Sequence, residues 1–110
     1  MPEGVTYLLR TKEDEYVRAV TEQGGQFDVV VIDGWNRLRP ECGNASLDYL
    51  TERGVVVWDN SNRMSERYRE VYDKLAKRGF RRLDFFSHGP IWVREWPTSV
   101  FYRNDNCLGI

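Results

Sequence analysis

Three polar residues close two apolar runs: Asp33 after FDVVVI, and Asp59 with Asn60 after GVVVW. Carboxylate and amide oxygens are hard ligands, and two carboxylates with one amide carbonyl suit Mg2+ or Ca2+. If the two runs are neighbouring parallel strands, a spacing of roughly 4.8 Å lets their end residues converge on one ion. A plainer reading stands beside this one. Asp33-Gly34 and Asp59-Asn60 can simply open turns, where Asp and Asn side chains hydrogen-bond to local backbone.

Other residue types that carry chemistry are less well placed. Trp35 follows Asp33-Gly34 and suits either stacking on a ligand or partner, or packing under its own loop. Trp92 and Trp96, near Pro90 and Pro97, form a second aromatic group expected to cover one end of a sheet. His88 is the only histidine, in a Ser-His-Gly-Pro break, with no partner in sight for general-base work. Cys42 falls on a helix face with no activating His or Lys, and Ser61 and Ser99 lack a nucleophile elbow.

These residues need elements to hold them. FDVVVID, 27–33, is the longest β-branched run, and its lack of alternation suggests a strand buried on both faces, as in a parallel sheet covered by helices. Strand 55–59 repeats the pattern. VTYLLR, 5–10, reads as an earlier short strand. Thr11 caps a helix with acidic residues in its first turn and Tyr16, Val17 and Val20 on one side, stopped by Gly24-Gly25. Gly34–Pro40 reads as a loop, and 41–53 as a helix ended by Gly54. Ser65 caps helix 66–78, whose stripe is Tyr68, Val71, Tyr72, Leu75 and Ala76, with Gly79 closing it. FRRLDFF, 80–86, and TSVFYR, 98–103, are joined without a helix and are expected to pair antiparallel.

The order β-α-β-α-β-α-β-β predicts an α/β domain, a three-layer sandwich around a mostly parallel twisted sheet of about five strands. The expected strand order is 1-2-3-5-4, with the last strand antiparallel. One domain spans 1–110, with 1–4 and 104–110 as loose ends. If nothing covers it, one side of FDVVVIDG is an open apolar edge, an association hazard. Either VTYLLR covers that edge or a second copy or partner chain does, and a homodimer is the expectation.

Composition narrows the function. Sixteen basic and 17 acidic residues leave a net charge of −1, without the basic excess of an electrostatic nucleic-acid binder. The clusters Arg37/Arg39 and Arg78/Arg81/Arg82 read as solvated surface. No apolar run reaches the roughly 18 residues of a membrane helix, and no signal-peptide pattern opens the chain. Cys42 and Cys107 lack metal-ligand spacing and are expected as free thiols in the cytoplasm.

The block FDVVVIDG…GVVVWDNS…GF…DF…GP…W.TSVFYR resembles the C-terminal half of class I S-adenosylmethionine-dependent methyltransferases, over roughly residues 16–103. The resemblance implies a Rossmann-like fold, and it places Asp33, Asp59 and Asn60 where catechol-type O-methyltransferases hold a metal, here Mg2+. It also implies that S-adenosylmethionine would be met at the crevice beside Asp33, Gly34 and Trp35. The family's glycine-rich turn after a first strand has no counterpart: Gly4 precedes a strand, and Gly24-Gly25 ends a helix. Two functions follow. One is a truncated methyltransferase-like module without autonomous cofactor binding, open to a small molecule or a partner. The other is a metal-assisted O-methyltransferase completed by a dimer or partner chain.

Overall fold

The computed structural model describes residues 9–10, 12–34, 36–59, 61, 65–88 and 95–110. It is an α/β fold with four strands and three α-helices among these residues. The strands are β1 (Phe27–Ile32), β2 (Leu50–Asp59), β3 (Arg81–His88) and β4 (Glu95–Tyr102). They form one mixed sheet in the order β1-β2-β4-β3. β1 and β2 are parallel, with Val29–Ile32 beside Val55–Trp58. β4 runs antiparallel to both β2 and β3 and lies between them. This is the expected insertion of the last strand, and it reproduces the last four places of the order 1-2-3-5-4. The proposed first strand falls mostly on 5–8, outside the described residues; Leu9 and Arg10 belong to no strand.

The helices are α1 (Glu13–Arg18), α2 (Arg39–Ser46) and α3 (Glu66–Lys77). α1 carries Glu13, Asp14 and Glu15 in its first turn and passes through a 3-10 turn to Gly24, which takes the left-handed conformation at φ +73°. Its expected cap, Thr11, lies outside the described residues. α3 matches its sequence signature closely. The Ser65 hydroxyl accepts from the Tyr68 amide, and Gly79 at φ +88° lets Phe80 donate back to the Leu75 carbonyl.

The segment after Ser46 and the C-terminal tail differ from the sequence reading. The helix expected over 41–53 ends at Ser46, followed by a 3-10 turn and then by β2 from Leu50. Pairing of Leu50 with Phe27 recruits 50–54 into the sheet, and this outweighs the helical period. Gly54 is therefore a strand residue, pressed against Leu50 and the Thr51 carbonyl. The tail expected to be loose is docked. Buried Asn106 donates to the Arg103 and Ile110 carbonyls and accepts from the Leu108 and Ile110 amides, while Cys107 N–H donates to the Arg53 carbonyl at 2.8 Å.

The aromatic core lies on one face of the sheet. Trp58 is fully buried, with Tyr68, Tyr72 and Phe101 ring centroids 5.1–6.4 Å from its own. Ile32, Leu47, Leu50, Val56, Val71, Leu75 and Phe80 complete this cluster. Residues of the other parity form a row, Val31–Val57–Val100–Leu83, across all four strands. On that face Val29, Val31, Leu83 and Phe85 are exposed, while Val55 and Val100 are buried. The expected two-sided burial of FDVVVI, and with it the second helical layer of a three-layer sandwich, is therefore not found there. Among the described residues β1 is the end strand of the sheet.

Candidate functional site

Parallel pairing of β1 and β2, in register at Ile32 and Trp58, brings Asp33 and Asp59 out at the same end of the sheet. Their carboxyl groups meet. Hydrogen bonding with Asp59, then burial and the charge of Asp59, raise the pKa of Asp33, and Arg39 offsets part of this. Asp33 is still largely exposed, whereas Asp59 is half-buried and accepts from the Thr98 hydroxyl at 3.0 Å. Thr98 stands opposite Asp59 on β4, so the sheet itself holds that carboxylate.

Arg39 organises this end of the molecule. Its side chain is only 7% exposed. Nε donates to the Gly34 carbonyl at 3.0 Å, Nη1 to the Asp59 carbonyl at 2.8 Å, and Nη2 lies 3.5 Å from the Asp33 carboxylate. One guanidinium thus ties the start of α2 to the ends of both strands, a task suited to its planar fork of donors. The sequence reading had placed Arg39 on the solvated surface. The available signal was Pro40: by starting α2 at residue 39 it sets Arg39 under the strand ends. Its neighbours in charge also do more than meet solvent. Arg82 lies 4.9 Å over the Tyr72 ring, and Arg78 donates to the Leu47 carbonyl at 3.2 Å.

Tyr16 is a further site residue that the sequence assigned only to a helical stripe. Its hydroxyl occupies the space where a Cβ on Gly34 would stand, so a side chain at 34 would displace the tyrosine. Burial, aided by Cys42 and Asp33 and opposed by Arg39, raises its pKa. Asn60, Trp35 and Trp92 lie outside the described residues, and Trp96 is placed only by its backbone in β4. His88 ends β3 opposite Glu95 instead of lying in a break. Cys42 and Cys107 are free thiols, and burial pushes the Cys42 thiol up, away from nucleophilic use. Ser61 and Ser99 are buried against each other, 2.5 Å between hydroxyls, and Ser99 also bonds Asp84.

Two carboxylates meeting at a strand end fit part of the ligand set of a hard divalent cation, with water or substrate oxygens completing it. Among the described residues no third His, Cys, Asp or Glu joins them. The fit to S-adenosylmethionine is poorer. No described strand ends in a glycine-rich turn that would let backbone approach a nucleotide closely. No helix among the described residues is long and apolar enough to cross a membrane.

The described residues define an α/β fold whose two parallel strands end in a pair of carboxylates. Comparison with solved structures bears that out at the level of the fold. The O-methyltransferase TomG from Streptomyces achromogenes, involved in tomaymycin synthesis and solved with SAM, superposes with a TM-score of 0.60 at 18% identity, over 84% of this chain and 48% of that one. The O-methyltransferase from Bacillus cereus, solved with SAH, gives 0.60 at 16% identity, over 81% and 46%. The chain spans about half the length of the structures it matches. No family model and no curated protein matches it.

Proposed function

We propose that this chain is a methyltransferase-like binding module that does not bind S-adenosylmethionine by itself. It corresponds in this reading to the C-terminal half of a class I methyltransferase. The observation that carries the proposal is the position of β1. It stands at the end of the described sheet, with Val29 and Val31 exposed, where the half that grips the cofactor would pack. The missing glycine-rich turn supports the same conclusion, since backbone can approach a nucleotide closely only where no Cβ intervenes. Titration calorimetry with S-adenosylmethionine, with and without Mg2+, tests it. No heat at high micromolar cofactor is expected, and micromolar binding by the monomer refutes the reading.

The convergence of Asp33 and Asp59 favours a second reading, a metal-assisted O-methyltransferase whose cofactor half comes from a second chain. In it Asp33 and Asp59, with Asn60 after them, would hold Mg2+, whose positive charge would polarise a substrate hydroxyl. Arg39 and Thr98 fix the carboxylates, and Tyr16 packs over Gly34 beside them.

A further inference from the structure

We infer that Arg82 and Asp84 are positioning residues for the acidic pair: through Ser99 they anchor Ser61, two residues beyond Asp59, and so set where the Asp59 carboxylate stands for a divalent cation. This deepens the metal-assisted reading of the strand ends and rests on it. Every polar group of Ser61 is engaged by another element. Its N–H donates to the Pro97 carbonyl of β4 at 3.3 Å. Its carbonyl accepts from the Tyr72 hydroxyl of α3 at 3.3 Å and from Arg82 Nη2 of β3 at 3.1 Å. Its hydroxyl meets that of Ser99 at 2.5 Å, and both serines are buried.

This chain of bonds has a direction. Ser99 gives its proton to the Asp84 carboxylate, so the Ser61 hydroxyl must donate to Ser99. Arg82 Nε closes the circuit, donating to Asp84 at 2.7 Å and to Ser99 at 3.2 Å. Its guanidinium lies 4.9 Å over the Tyr72 ring and 5.7 Å over that of Phe101, which restricts its freedom to turn. Asp59 is reached from Ser61 within two residues, at most about 7 Å of chain. Thr98, next to Ser99 on β4, bonds the Asp59 carboxylate itself at 3.0 Å. The β3–β4 pair thus grips Asp59 twice, by its side chain and by the backbone beyond it. Asp33 is held less firmly: its side chain is largely exposed and lies 3.5 Å from Arg39. Asp59 is therefore the fixed half of the pair, and Asp33 the half that adjusts to the ion.

Mn2+ titration, followed by the electron paramagnetic resonance of the free ion, tests the inference on chains that circular dichroism shows to be folded. Ser99→Ala breaks the chain of hydroxyls, and Arg82→Gln removes the charged donor to Ser61. Each should weaken Mn2+ binding by roughly 3- to 10-fold, at or below the low end of what direct partners of metal ligands contribute, because they act through the backbone. Asn106→Ala, which loosens the tail beside Arg53 at the other end of β2, should lower stability and leave Mn2+ binding unchanged. If Ser99→Ala does not fold, Ser61→Ala carries the test, with Arg82 and Asp84 still paired. Mn2+ binding as tight in these variants as in the native chain overturns the inference, as does an equal weakening in Asn106→Ala. Failure of the metal-assisted reading is separate and is read in the native chain: no Mn2+ binding there refutes that reading and the inference with it.

Discussion

Nη1 of Arg39 donates to the backbone carbonyl of Asp59 at 2.8 Å, across the gap between the start of α2 and the end of β2. The same side chain bonds the Gly34 carbonyl, so a single buried cation holds together the strand ends that present both carboxylates. Replacing Arg39 with Ala leaves two carbonyls without donors and the acidic pair without its counter-charge. A loss of about 3–6 kcal/mol follows from two hydrogen bonds to a charged group at roughly 1.5–3 kcal/mol each. Arg39→Lys should recover little, because an ammonium cannot span both carbonyls in one plane. Urea denaturation of both variants checks this through the midpoint at constant slope.

The acidic pair makes its own prediction. If Asp33 and Asp59 share a cation, Mn2+ should bind to the chain and Asp59→Ala should weaken that binding by on the order of tenfold, since charge count sets affinity at such sites. Thr98→Val should weaken it less, because Thr98 fixes only one Asp59 oxygen. Paramagnetic broadening of amide signals near residues 33 and 59 reads the site without reference to activity. Broadening that persists unchanged in Asp59→Ala would mean that Asp59 is a turn former and nothing more.

The helix and strand signals that survived into the structure are those with local causes. Ser65 caps α3 and Gly79 ends it because each solves a hydrogen-bond or dihedral requirement within a few residues. The meeting of Asp33 with Asp59 was also legible, since it needed only two adjacent parallel strands ending in acids. The role of Arg39 was not, because its partners at 34 and 59 lie on other elements. The extent of β2 was hidden for the same reason: Leu50 is a strand residue through Phe27, not through its own neighbours. The valine run misled most. Continuous apolarity signals burial but does not say whether the same chain supplies the cover.

Gly43 should not tolerate alanine. A Cβ there would stand 2.5 Å from Trp58 Cζ3, 2.8 Å from Cη2 and 3.1 Å from a Val71 methyl. Helix propensity favours Ala over Gly by about 1 kcal/mol, whereas overpacking costs roughly 1–3 kcal/mol. The indole cannot retreat, since Tyr68, Tyr72 and Phe101 surround it, so overpacking wins. A net loss of roughly 1–2 kcal/mol is expected in thermal or urea unfolding, with altered Trp fluorescence. A stabilised Gly43→Ala would show that α2 does not lie against Trp58.

Acid stability should depend on Asp84. Burial alone would raise its pKa, but the Ser99 hydroxyl and the Arg82 guanidinium, 2.7 Å away, outweigh this and lower it from 3.8. A carboxyl whose folded pKa lies below its unfolded value stabilises the fold above the unfolded pKa. That contribution is lost as pH falls through the folded pKa. Stability of the native chain should therefore drop on acidification below about pH 4, near the ordinary Asp pKa. Asp84→Asn should be less stable at neutral pH and show a shallower acid dependence, the two curves converging at low pH. Ser99→Ala tests the origin of the shift. It removes the hydroxyl that links Asp84 to Ser61 but leaves Arg82 in place, so the Asp84 pKa should move part of the way back up. Carboxyl carbon shifts followed by NMR titration give that pKa directly. An Asp84 that titrates at its ordinary value in the native chain would contradict the proposed role of the Ser61–Ser99–Asp84 chain of hydrogen bonds.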